Sequence, residues 1–402
     1  MGWVFCMLQY LPEVWLTIWH SIFTCMALLA IAVVLQQAGC FRWLGLHLAR
    51  RGSGWGRVLV LGLGLLAVVV TAVLSHYGAA LVVMPMVLEL ISELAVTPAI
   101  AIATAATLGF AIHVASLILP ISSLVNLMAA DTFDISFGRY ALVMVPVGSI
   151  AIATSLGVLW FYFQQPLAFT YNRDRLTQPN NAIHDAQIVR YSFMLLFALV
   201  AGCFLASTFG ISVLFPAGIL ALLSFALAGR WFSRHTPARL STPKLARSLP
   251  WRLGLTGLGL YLVVMGLVNI GLIKILSQLL EQLADWGFAI SILGCGLLAA
   301  LLATLLNQLP AIWLVSLAIQ ALPNLDSSIR EGTIYATIVG CGLGGAIAPF
   351  SSLASLTWLK LLSRKNLHLN SRHYIRLNLA LALPILLVTL LTLILWLPWL
   401  HI

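Results

Sequence analysis

The sequence predicts an all-α polytopic membrane protein built from two inverted repeats, each with a re-entrant hairpin and a broken transmembrane helix. About eight full spans plus two hairpins are expected. Three observations carry this. Hydrophobic residues make up 61% of the 402 and charged residues only 8%, against about 25% charged in a soluble domain. Apolar runs recur at lengths that cross a bilayer, which takes about 20 helical residues, and the alternating pattern of a membrane β-barrel is absent. Finally, Pro-x-Ser-Ser-Leu occurs twice, in LPISSLVN at 119–126 and in APFSSLAS at 348–355.

In chain order, full spans are expected at 14–38, 98–129, 139–163, 191–210, 212–229, 253–275, 332–361 and 377–399. The first has no basic segment before it and is long enough to cross, so it reads as a span and not as a cleavable signal peptide. Two further apolar regions, 58–92 and 288–322, are interrupted near their middles by SHYG (75–78) and NQLP (307–310). Charge decides how to thread them. If both enter and leave on one side, eighteen of the 21 Lys and Arg share a face. These are Arg42, Arg50, Arg51 and Arg57, then Arg173, Arg175 and Arg190, the six from Arg230 to Arg252, and the five from Lys360 to Arg376. Opposite them stand Arg139, Lys274 and Arg330 with Asp131, Asp134, Glu281, Asp285, Asp326 and Glu331. Basic loops stay in the cytoplasm, so both regions read as re-entrant hairpins. The net charge of +10 is then a topology signal; lipid is the expected surrounding and nucleic acid is excluded.

The halves align. Pro120 and Pro349 are 229 residues apart, and His76 and Asn307 are 231 apart. The first hairpin enters from the basic face and the second from the other, so the repeats are inverted. Residues 1–163 read as the first repeat, 164–190 as a cytoplasmic linker and 191–402 as the second repeat. The spans at 191–210 and 212–229 have no counterparts in the first half, which is expected to lack its first two helices.

Inverted repeats with discontinuous helices mark secondary transporters, whose binding sites lie near the midplane. The physical reason is that a proline break frees backbone N–H and C=O groups, each costing several kcal/mol in hydrocarbon unless paired. Ser122, Ser123, Ser351 and Ser352 are placed to pair some of them, and a solute the rest. The run GCGLGG (340–345) lets a second backbone come close. His76 and His113 are ionisable groups inside the membrane, where such residues are costly and functional. Histidine changes charge near neutral pH and so suits a coupling proton; the plainer reading is a neutral imidazole bonded to backbone or to Ser116. Asn126, Asn307 and Gln308 offer amide donors and acceptors to a hydroxyl-rich solute. Two histidines without a third ligand at a recognisable spacing make a poor metal site, and no cofactor is expected. The six cysteines are scattered with no CxxC pair, so neither a disulfide framework nor zinc is suggested. Lys274 is read as snorkelling to the interface. The Walker A, HExxH and nucleophile-elbow motifs are all missing, which argues against an ATP-driven pump, a membrane protease or any other enzyme.

SHYGAALVVMPMVLE (75–89), ASLILPISSLVNLMAADTFDISFGRYALVMVPV (115–147), GCGLGGAIAPFSSLASLTWLKLLSRKNL (340–367) and FRWLGLHLARRGSGWGRVLV (41–60) resemble the ArsB arsenite-efflux permeases of the ion transporter superfamily. The resemblance runs from about residue 11 to the C-terminus. It implies a multi-pass carrier of the bacterial inner membrane that exports arsenite or antimonite, as As(OH)₃ or Sb(OH)₃, in exchange for protons. In some bacteria such carriers associate with a soluble ArsA-type ATPase. It also implies two further N-terminal helices, matching the deficit above. At the positions that correspond, the family's first tip reads Asn-Asp-Gly where this chain has His76, Tyr77 and Gly78. The family's aspartate on the first broken helix is His113 here. Its Asn after the first serine of that break is Ser123, and its second tip, Asn-Asn, is Asn307 and Gln308. On the second broken helix Asn, Asp and Lys give way to Thr337, Gly342 and Ala346. The matched polar positions are Ser116, Ser122, Asn126, Asn307 and Ser352. The usual intramembrane carboxylates are thus replaced, two of them by histidine. Two other readings stay open at this point: a carrier with a changed substrate, such as an organic anion or a cation exchanged for protons, and a non-transporting membrane scaffold.

Overall fold

The computed structural model describes residues 2–231, 242–249, 251–367 and 369–400; for 2–18, 242, 252–258, 260 and 261 it describes the backbone path alone. Arg234 and Arg239 of the basic set lie outside the described residues, as do the side chains of Arg252 and Cys6.

Among the described residues, sixteen α-helices follow one another. In the first half they are α1 (Gly2–Gln37), α2 (Cys40–Arg51), α3 (Gly56–Leu94), α4 (Pro98–Ala115), α5 (Leu124–Thr132) and α6 (Phe137–Tyr162). A linker with two 3-10 turns leads to α7 (Ala186–Thr208), α8 (Leu214–Ala228), α9 (Thr242–Ser248), α10 (Arg252–Asn269) and α11 (Leu272–Asp285). The last five are α12 (Phe288–Leu306), α13 (Gln308–Gln320), α14 (Ser327–Gly344), α15 (Leu353–Ser363) and α16 (Ser371–Trp396). Among the described residues, seven helices are long and apolar enough to cross a membrane, or up to eight if the bent pair α10–α11 is one span.

That bend departs from expectation. The run 253–275 reads as one span, but Gly271 adopts φ 84° and the chain turns by 74° between α10 and α11. Glycine meets no steric cost there, and Lys274 consequently lies on α11.

Both interrupted regions are hairpins by their fastenings. Gly56 N at the start of α3 donates to Phe169 O (2.7 Å), and Glu93 at its end accepts from Thr177 N (3.0 Å) and Arg42 (3.0 Å). Both ends of α3 therefore meet the basic layer formed by α2 and the linker. Arg50 donates to Leu176 O and Arg57 to Gln164 O in the same layer. The second hairpin hangs from the other face. Ser291 near the start of α12 donates to Leu283 O, and Gln320 at the end of α13 reaches Thr132 O at the end of α5. The Arg139–Glu331 ion pair lies on this face, with both bonds at 2.9 Å. The two halves are thus inverted, as the charge pattern predicts.

Apolar burial gives little drive between helices in lipid, so close packing of small residues matters more. α12 packs closely on α14. A Cβ on Gly340 would clash with the Gly296 carbonyl and the Ala299 methyl, so glycine there lets the two backbones touch.

Candidate functional site at two hairpin tips and two helix breaks

The four irregular segments match residue by residue. At the tips, Ser75 has φ 65°, ψ 158° and Asn307 has φ 96°, ψ 147°, a left-handed conformation that costs a non-glycine residue about 1–3 kcal/mol. Each caps the helix that leaves the tip: Ser75 Oγ accepts from Gly78 N (3.3 Å), and Asn307 Oδ1 from Leu309 N (3.2 Å). The backbone therefore equates Ser75 with Asn307 and His76 with Gln308, one residue off the pairing of His76 with Asn307 read from the sequence. At the breaks, Leu119 (φ −126°, ψ 156°) matches Ala348 (φ −109°, ψ 150°). A 3-10 turn follows at Pro120–Ser122 and at Pro349–Ser351. Ser123 (φ −153°, ψ 145°) and Ser352 (φ −146°, ψ 142°) then cap α5 and α15, accepting from Val125 N (3.2 Å) and Ala354 N (3.1 Å).

The freed carbonyls are met from within. Asn126 Nδ2 donates to Ser116 O (2.6 Å) and Leu119 O (2.9 Å), and Ser122 Oγ donates to Ser116 O (2.7 Å). Ser116 Oγ donates to His113 O (2.7 Å). In the second half Ser355 Oγ donates to Gly345 O (3.4 Å), Ser351 Oγ to Thr304 O (3.1 Å), and Asn307 Nδ2 to Phe350 O (2.7 Å). Ser123, Ser351, Ser352 and Asn307 are thus engaged in holding the breaks and tips, while Ser116, Ser122 and Asn126 form one knot beside His113.

The knots meet through the histidines. Gln308 Nε2 lies 3.2 Å from His76 Nε2 and 3.4 Å from Ser352 Oγ. His113 Nε2 lies 3.0 Å from Ser355 Oγ, and the two imidazoles stand 5.7 Å apart, centroid to centroid. All are buried, with His76 3% and His113 4% exposed. Ser355 is absent from the residues singled out in the sequence, although the 229-residue offset that pairs the prolines also pairs it with Asn126. Thr337 instead lies between α12 and α14, bonded to Cys295 Sγ and Thr333 O.

Gln308 Nε2 only donates, so His76 Nε2 accepts and its proton sits on Nδ1. Ser355 Oγ, 3.0 Å from His113 Nε2 and 3.4 Å from Gly345 O, has one proton for these two acceptors; given to Gly345 O, it leaves His113 Nε2–H as the donor to Ser355 and a bare lone pair on His113 Nδ1. Three buried atoms of this cluster make no hydrogen bond: His76 Nδ1, His113 Nδ1 and Asn126 Oδ1. The Ser122 backbone lies near His76 without hydrogen-bond geometry. In that arrangement one donor and two acceptors are left, in a centre whose hydrogen bonds involve no charged side chain. Among the described residues, no group of three or more His, Cys, Asp or Glu is placed to hold a metal ion.

Two inverted hairpins whose tips meet two broken helices in a buried polar centre define a multi-pass membrane transporter. The chain matches the arsenical pump membrane protein family, ArsB, over residues 8–397, and it belongs to that family. It is 37% identical over 380 residues to the arsenical pump membrane protein of Escherichia coli, covering 94% of this chain and 87% of that one. The protein of the same description from Yersinia enterocolitica is 36% identical over the same shares. Among solved structures, the Alcanivorax borkumensis YdaH transporter has the same fold at a TM-score of 0.57, with 17% identity, covering 97% of this chain and 89% of that one.

Proposed function

We propose that this protein exports arsenite or antimonite, as the neutral trihydroxide, across the bacterial inner membrane in exchange for protons. On this reading the basic face is cytoplasmic. The observation that carries it is the set of three unpaired atoms. A buried polar atom without a partner costs about 1–3 kcal/mol, and a small hydroxide that both donates and accepts relieves all three. A charged substrate would find no counter-charge there.

A narrow cleft is lined by Gly109, His113, Ser355, Trp358, Tyr374 and Asn378. It lies between the centre and the basic ends of α15 and α16, so the solute enters it from the cytoplasm. Its hydroxyl groups donate to His113 Nδ1 and Asn126 Oδ1, and a hydroxyl oxygen accepts from His76 Nδ1–H. On the outward-facing side a proton taken by His113 Nδ1 turns that acceptor into a donor, which removes one of the solute's bonds and favours release. Loss of the proton to the cytoplasm restores the acceptor. The test is arsenite and antimonite resistance in a strain lacking its own exporter. Resistance above the empty-vector strain is expected; equal sensitivity to both metalloids, with the protein present in the membrane, overturns the reading.

A further inference from the structure

A second titratable cluster sits on the face opposite the basic loops, at the far end of α5 from Asn126. His20 Nδ1 lies 3.1 Å from Asp131 Oδ2, and Ser21 Oγ donates to the same oxygen at 2.8 Å. His20 Nε2 meets Ser212 Oγ, whose hydroxyl also accepts from Leu214 N (3.1 Å) at the start of α8. The row Ser212–His20–Asp131 therefore joins α8, α1 and α5. Hydroxyl, imidazole and carboxylate in this order activate a nucleophile in hydrolases. Here the serine is committed to the α8 terminus, and the row is a fastening between three helices.

We propose that His20 and Asp131 form the outer proton-loading site of the carrier. This rests on the exchange reading above, in which a proton must reach the buried histidines from outside. His20 and Asp131 side chains are 31% and 23% exposed, so water reaches them, unlike His76 and His113. The bond inventory shows what a proton does. The carboxylate only accepts, so His20 Nδ1 holds a proton in every state. When the imidazole is neutral, Ser212 donates to Nε2, and the pair carries one negative charge. Binding a proton at Nε2 reverses that bond, Ser212 now accepting, and leaves an ion pair with no net charge. A neutral end of α5 slides past α1 and α8 at less cost than one bearing a lone carboxylate.

Among the described side chains, Asp131 is the charged group that acts on His20. Of the elements against α1, α8 carries no titratable residue and α5 carries Asp131 alone, with Asp134 exposed in the turn beyond. On α3, Arg57, Glu89 and Glu93 sit at the basic face and His76 and Tyr77 at the centre. Arg190 and Tyr191 lie at the basic end of α7, whose remaining titratable group is the buried thiol of Cys203. The charges of α2 and α9 belong to the basic layer, while Arg252 and Tyr261 of α10 have side chains outside the described residues. On α1 itself, Cys25 is a buried thiol, while Cys6, Tyr10 and Glu13 have side chains outside the described residues.

The experiment is arsenite uptake into everted vesicles, whose lumen bathes this face, with lumen pH stepped from about 5.5 to 8, the range in which histidine titrates. The parent rate is expected to rise as the lumen is acidified. Asp131→Asn and His20→Gln flatten that rise by about tenfold, the change in occupancy per pH unit of a titrating site, and Asp131→Glu keeps it. A variant profile that superimposes on the parent, or that is lowered by one factor at every pH, overturns the proposal. Hydrogen exchange at the outer ends of α5 and α8, followed over the same pH range, separates this failure from failure of the transport reading. A pH step in the parent that Asp131→Asn abolishes supports the site even without arsenite uptake, and no step in the parent overturns it.

Discussion

His76 and Gln308 occupy equivalent places on two inverted hairpins and face each other, nitrogen to nitrogen, at 3.2 Å. A contact between symmetry-equivalent residues is what a site on a pseudo-two-fold axis produces. It also joins the two halves at the point where both backbones leave the helix.

Replacing Gln308 with Leu removes the donor to His76 Nε2 and to Ser352 Oγ while keeping the side chain's size. The unpaired imidazole nitrogen costs about 1–3 kcal/mol. Arsenite export is expected to fall by about ten- to a hundredfold, since each 1.4 kcal/mol is a factor of ten. Transport rate measured against membrane-inserted protein checks this; an unaltered rate contradicts the assigned contact.

Asn126 and Ser355 are repeat partners with different contacts. Asn126→Ala removes one donor from each of the Ser116 and Leu119 carbonyls, which keep bonds from Ser122, and is expected to lower stability by about 1–3 kcal/mol, two net hydrogen bonds. Ser355→Ala loses the long bond to Gly345 O and the 3.0 Å bond to His113 Nε2, leaving a buried imidazole nitrogen unpaired; it is expected to cost about 1–3 kcal/mol and to change the pH profile of transport. Thermal unfolding in detergent, with uptake measured across pH, separates the two effects.

Gly340→Val places a branched side chain against the Gly296 carbonyl and must separate α12 from α14. Overpacking of this kind costs about 1–3 kcal/mol or more. Loss of folded protein from the membrane fraction is expected. Gly345→Ala, which presses on Gln308 Oε1, is expected to spare folding and slow transport.

The Arg139–Glu331 pair ties α6 to α14 on the face opposite the basic loops. Glu331→Arg leaves two cations together and is expected to destabilise by about 2–3 kcal/mol, in the range of a charged hydrogen bond. Combining it with Arg139→Glu is expected to restore most of the loss in unfolding temperature, whereas a double variant no better than either single one contradicts direct pairing.

The hairpins were legible because charge and apolarity act at long range: one misplaced crossing would put basic loops on both faces. Proline at 120 and 349 marked the breaks for an equally plain reason, the loss of a donor and a ring clash. The exact tip was not legible. Which of Ser75 or His76 takes the left-handed turn depends on whose side chain can cap the next helix, and both are polar. Ser355 was hidden because serine in a helix most often bonds its own backbone; only the repeat offset singled it out. The bend at Gly271 depends on packing of α11 against α12 and α13, which hydropathy averaged over a window does not resolve. The meeting of His113 with Ser355, 242 residues apart, is a tertiary event with no local signature.

The most direct test of the central claim is arsenite and antimonite accumulation in everted vesicles under an imposed pH gradient, comparing the parent with the His76→Gln, His113→Gln double variant. Uptake that is driven by the gradient in the parent and lost in the variant is the predicted result. Full gradient-driven accumulation in the variant would show that these two histidines do not carry the coupling proton.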